Sequence, residues 1–132
     1  MYKIAMRNGS PVNVGQMIEI DKGSAIAEPG SLICIVDGVA VDMTLGVCPD
    51  ALVSSVDGDK VTAMLLTEDM ILEVPIFGES MTYLKTGALV TGEADSVNID
   101  ETGNYCQIVD TLDAKKAGDK ILVRFIHNNK KS

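Results

Sequence analysis

The sequence has no tryptophan, one histidine, three cysteines and an aromatic content of 4%. Each scarcity closes a class of function. Without a second histidine, the common nucleophile–histidine pairings could use only His127, and a histidine-rich zinc site is excluded. Cys34, Cys48 and Cys106 are odd in number and widely spaced, with no CxxC pair, so neither a metal knuckle nor a disulfide scaffold is expected. They read instead as buried or half-buried thiols. Basic residues are also few: eleven Lys and Arg stand against nineteen Asp and Glu, for a formal net charge of −8. Phosphate binding depends on clustered cations, so nucleic acid is not expected as a partner, and an anionic membrane surface is disfavoured by the same sign. No segment approaches the eighteen or so apolar residues of a membrane helix. The start, Met1 to Asn8, holds no apolar run of signal-peptide length, so production in the cytoplasm is expected.

What is present is aliphatic. Of the 132 residues, 46% are hydrophobic and seven are methionine, enough for one core of Val, Ile, Leu, Met and Ala. These residues fall in short extended runs between turn residues. Leu32–Val36 leads through Asp37-Gly38 into Val39–Val41, and Asp-Gly between β-formers is the strongest local hairpin signal. Leu52–Val56 passes through Asp57-Gly58-Asp59 into Val61–Leu66. Met70, Leu72, Val74 and Ile76 alternate on one face, and Pro75 places the end of that run at an edge or a bulge. Leu89-Val90, Val97–Ile99 and Tyr105–Val109 follow. Lys120–Ile126 is apolar on both faces apart from Arg124, as befits an interior strand. Helix signals are limited to one turn after Ser80, stopping near Gly87, and one from Thr111 to Ala117, closed by Gly118. The expectation is an all-β fold, a compact β-barrel or β-sandwich with short hairpins and at most one or two short helical turns.

Carboxylates sit mainly in turns: Asp57 and Asp59, Asp100 and Glu101, Asp110 and Asp113. The EF-hand ligand series is missing around Asp57-Gly58-Asp59, so a hairpin is expected there rather than a calcium loop. The glycines are too dispersed for a phosphate loop. Lys60 and Lys85 lie on loop tips, but Asp59-Lys60-Val61 matches a lipoyl-type carrier hairpin only as a dipeptide. No catalytic residue, cofactor or metal site is assigned, and an enzyme is not expected. The domain reading is residues 1–14 as an N-terminal arm or first strand, 15–127 as a single β domain, and 128–132 as a disordered tail.

The second half carries a recurring pattern. Met70-Ile71-Leu72-Glu73-Val74-Pro75 is followed by Leu84-Lys85-Thr86-Gly87-Ala88-Leu89-Val90 and Gly103-Asn104-Tyr105-Cys106-Gln107-Ile108-Val109-Asp110. The run closes on Lys116-Ala117-Gly118-Asp119-Lys120-Ile121-Leu122-Val123-Arg124-Phe125. Over residues 60 to 126 this resembles the head decoration (capsid cement) proteins of tailed bacteriophages. The resemblance implies a virion structural protein without catalysis, bound to the major capsid protein on the outer surface of the capsid. It further implies a homo-oligomer, a trimer by preference, that reaches the shell with an N-terminal arm. In that arm Tyr2, Ile4 and Met6 alternate with Lys3 and Ala5, a pattern able to add a strand to an exposed sheet edge. Tyr2, Lys3, Ile4, Met6 and Arg7 are therefore the candidate partner-binding residues. The same residues equally suit a first strand of the chain's own sheet. Other virion components (tail or neck) share the compositional logic. A glycan- or receptor-binding β-module remains a rival, though three Tyr, two Phe and no Trp supply few stacking platforms.

Overall fold

The computed structural model describes residues 1–7, 10–11, 15–43 and 48–126, with backbone alone for 6, 7, 10 and 11. His127 and the tail 128–132 lie outside the described residues, as do Gly46 and Val47. The described chain is all-β, with no helix and thirteen strands. Three short strands open it: β1 (Lys3–Ile4), β2 (Met6–Arg7) and β3 (Ser10–Pro11), the last two paired with each other. β4 (Met17–Asp21), β5 (Leu32–Val36), β6 (Val39–Asp42), β7 (Ala51–Asp57) and β8 (Lys60–Leu65) close into a barrel in the order β4-β6-β5-β7-β8. β9 (Leu72–Phe77), β10 (Leu89–Gly92), β11 (Val97–Thr102), β12 (Cys106–Asp110) and β13 (Lys120–Phe125) form the second sheet, in the order β9-β11-β10-β12-β13. β13 pairs back onto β9, so this sheet is closed as well, and β1 is added outside the ring on β9.

The two rings have one topology. In each, the first and third strands are parallel while the other neighbours are antiparallel, and the first and fifth strands close the ring. The match extends to single residues. β7 has a bulge between Val53 and Ser55, and β12 has one at the corresponding place, between Ile108 and Asp110. Gly30 N donates to Val53 O and Val53 N to Ser31 O, each at 2.9 Å; Gly87 N donates to Ile108 O at 2.8 Å and Ile108 N to Ala88 O at 2.9 Å. Both glycines adopt positive φ, 88° and 91°, the region that an L side chain enters at a cost. Lys22 N to Asp59 O is mirrored by Ile76 N to Asp119 O, and Leu66 N to Asp50 O by Ile126 N to Tyr105 O. The correspondence sets Met17-Ile18-Glu19-Ile20 over Ile71-Leu72-Glu73-Val74, and Asp59-Lys60-Val61 over Asp119-Lys120-Ile121.

The single aliphatic core expected from composition is divided into two clusters. The first barrel is filled largely by small residues, among them Ala40, Ala51, Val53, Val61 and Ala63. The second is filled by bulkier ones, including Leu72, Val74, Ile99, Ile108, Ile121, Val123 and Phe125. Leu32, Leu52 and Leu66 come from first-barrel segments but pack in the second cluster, so the barrels share an apolar junction.

Local chemistry accounts for the strand ends. Asp37 and Gly38 both have positive φ, 52° and 77°, as a type I′ turn requires. Pro75 faces the gap on β9 between its pairings with β1 and β11, where no amide donor is needed. The helical turns anticipated after Ser80 and from Thr111 do not form. Met81 at φ 56° and the pair Leu112 and Asp113 at 49° and 59° enter the left-handed region, which ends helical propagation.

Candidate functional site

The N-terminal segment reaches both barrels. Tyr2 N donates to Gly30 O at 2.7 Å in the first barrel, and Ala5 N donates to Ile71 O at 2.8 Å beside the second. Between them Lys3 lies opposite Glu73 and Ile4 opposite Leu72 on β9. Tyr2 is fully buried, its ring 5.9 Å from that of Phe125 at a 53° tilt. Its hydroxyl lies 2.9 Å from Glu93 O and 3.0 Å from Ser96 O, so one proton is shared between two carbonyls at the β10–β11 turn. Burial pushes the phenol well above its ordinary range, and the nearby Cys106 and Asp95 add to the shift. The amino group of Met1 donates to Asp95 O.

Of the residues nominated for partner binding, Tyr2 is thus committed to the chain's own interior. Ile4 is half-buried against the same cluster, and Lys3 is exposed. Met6 and Arg7 pair with Pro11 and Ser10, and their side chains lie outside the described residues. The edge to which the Tyr2–Met6 alternation adds a strand is this chain's own β9.

Beside this segment, at the junction of the barrels, lies an open cleft of about 300 Å³. Ile26, Leu32, Met43 and Ala94 supply its apolar lining; Glu28, Asp42 and Asp95 supply carboxylates, and among the described residues no Lys or Arg lines it. Asp42 accepts from Ile26 N at 2.8 Å, and Ser31 Oγ donates to Glu28 O at 2.7 Å, which holds the loop in place. Such a lining suits apolar and cationic groups and repels phosphate.

Exposed apolar side chains are distributed unequally. Met17 (44% exposed), Ile26 (78%), Val36 (54%) and Val41 (41%) belong to the first barrel, whereas the second has Leu112 (45%). Two carboxylates elsewhere, Asp100 and Asp119, act as turn caps. Asp100 accepts from the amides of Glu79, Ser80 and Met81 and from Ser80 Oγ, and these bonds, Glu79's first, hold its carboxyl below the usual range. Asp119 accepts from Lys115 N and Lys116 N with the same consequence. Lys60 pairs with Asp21, which raises the ammonium pKa. Among the described residues no group of three or more His, Cys, Asp or Glu could hold a metal ion.

The thiols are not in disulfides. Burial pushes Cys106 far up and, with Asp50 adding, raises Cys34 and takes Cys48 to about 11. All three are therefore poor thiolates at neutral pH.

Sequence reasoning missed β4 and the duplication. The available signal was Met17-Ile18-Glu19-Ile20 recurring as Ile71-Leu72-Glu73-Val74, with Pro29-Gly30-Ser31-Leu32 recurring as Thr86-Gly87-Ala88-Leu89. No family model, curated protein or solved structure matches the chain.

Proposed function

We propose that the chain is a structural protein of a tailed-phage virion, decorating and bracing the outer capsid surface as a trimer bound to the major capsid protein. The observation that carries this reading is the set of exposed apolar residues on the first barrel, Met17, Ile26, Val36 and Val41, on a chain whose other surface is strongly acidic. Scattered exposed hydrophobes are ordinary, but four on one small barrel favour a barrel that is covered in an assembly. Each is already partly covered, so burying the rest contributes about 0.5–2 kcal/mol before the costs of association. Repeated at every site of a shell, such contacts add up to bracing without any one being strong.

The acidity suits an outer face, away from packaged DNA. In this role the chain performs no chemical step and needs no cofactor. It is made in the host cytoplasm and resides on the capsid, with neither nucleic acid nor membrane as a partner.

The test is the solution mass by light scattering, followed by cosedimentation with empty phage heads. A trimer that binds expanded heads saturably is the expected result. A monomer that ignores heads sinks the reading and directs attention to tail components and glycans.

A further inference from the structure

The two barrels differ at one corresponding edge. On β9, residues Ile71 and Glu73 turn their backbone groups away from β13, and β1 covers them: Ala5 N bonds Ile71 O, and Lys3 and Ile4 pair with Glu73 and Leu72. On β4 the corresponding residues are Met17 and Glu19. Gln16 O accepts from Leu65 N and Lys22 N donates to Asp59 O, so even-numbered residues face β8. Antiparallel alternation then points the amides and carbonyls of Met17 and Glu19 to the other side. There β4 meets β6 only at Asp21 and Val39, and among the described residues no strand covers Met17 to Ile20. The side chains show the same gap. Leu72 and Val74 are fully buried; their counterparts Ile18 and Ile20 are half-buried, and Met17 is exposed.

We infer that β4 is an acceptor for a strand from a partner protein, added antiparallel along Met17–Ile20. The filled edge specifies what fits. Lys3 sits opposite Glu73 and Ile4 opposite Leu72. A basic residue therefore belongs opposite Glu19 and an apolar one opposite Ile18, in an extended segment of alternating pattern. A second copy of this chain does not complete the arrangement: its Tyr2–Ala5 segment is taken up by its own β9, and its β4, set antiparallel, offers only Met17, Glu19 or Asp21 opposite Glu19, none of them basic. The occupant is thus a strand of a different protein, with main-chain bonds giving affinity and the basic–apolar alternation giving register. Nothing in this requires a capsid, since any protein with such a segment would fit.

The probe is a synthetic peptide with the sequence of residues 1–7, which carries the required pattern, added to the full chain. Binding is read by fluorescence anisotropy and the site by amide hydrogen exchange. The expected result is saturable binding that slows exchange at Met17 and Glu19 at least tenfold, with affinity lost at least tenfold in Glu19→Lys. Glu19 is exposed, so that variant keeps its fold, and unchanged exchange at Val61 and Ala63 verifies this. Three outcomes overturn the inference: Met17 and Glu19 amides already protected without peptide, no binding at millimolar peptide, or protection changes confined to Ile71 and Glu73. The last would mean that the peptide merely exchanges with the chain's own β1. Each outcome is independent of whether the protein binds phage heads.

Discussion

The two barrels share every pairing within their rings and even a bulge, yet among the described residues only the second is sealed. In the second, β1 covers the open side of β9, Tyr2 packs on Phe125, and bulky aliphatics fill the interior. In the first, alanines occupy much of the interior, the β4 edge lacks a covering strand among the described residues, and Ile18 and Ile20 keep partial contact with solvent. Ring connectivity therefore depends on turns, bulge and pairing, and survives different fillings. Sealing is a separate property, supplied to one barrel by a segment far away in sequence. A sealed barrel can carry the stability of the chain while its twin exposes an edge and apolar side chains for assembly.

The sharpest way to break this contrast is to remove the seal. Tyr2→Ala should cost about 3–5 kcal/mol in urea unfolding, the range for truncating a large buried aromatic. Tyr2→Phe, which keeps the ring and loses only the bond shared by Glu93 and Ser96, should cost about 1 kcal/mol. If Tyr2→Ala unfolds at the wild-type urea concentration, the N-terminal segment does not staple the barrels.

Matched truncations sharpen the comparison. Leu72→Ala and Ile18→Ala remove corresponding residues from β9 and β4. The former should cost about 2–5 kcal/mol, and the latter less than half as much, because Ile18 already meets solvent. Equal costs in equilibrium unfolding would show that the first barrel is as well sealed as the second.

Most of the strands could be read from sequence because their signals are local. Asp37-Gly38 marks its turn through the backbone freedom that type I′ demands. Lys120–Phe125, apolar on both faces, is an interior strand because β12 and β9 flank it. Met70, Leu72, Val74 and Ile76 are buried as their alternation implied. Pairing over long distances was not legible. Nothing local in Leu72–Phe77 says that its neighbours are residues 3–4, 97–98 and 120–123. The duplication escaped notice because its loops differ in length: two residues join β7 to β8, whereas residues 111–119 join β12 to β13. Without a fixed period, few identities remain, among them Glu19 with Glu73 and Lys60 with Lys120. Tyr2 was legible as part of a strand able to add to an edge, but the identity of that edge depends on the folded chain.

The smallest expected effect concerns two loops of the second barrel. Asp100 and Asp119 cap the amides of Glu79–Met81 and of Lys115 and Lys116, in the segments Gly78–Ala88 and 111–119. Both carboxyls are held below the usual range by these bonds. A carboxyl whose pKa is depressed by folding stabilises above its unfolded value, about 3.9 for Asp, and that contribution fades as pH falls through the folded value. The window therefore lies below about pH 4, and both residues keep contact with solvent, so the effect is modest. In the Asp100→Asn, Asp119→Asn double variant, Tm should fall less steeply between pH 5 and pH 2 than in the wild type. Amide exchange at Glu79–Met81 and Lys115–Lys116 should quicken with acid in the wild type before that of β9 and β13 does. An unchanged acid slope in the double variant would show that these caps do not set the acid limb of the second barrel.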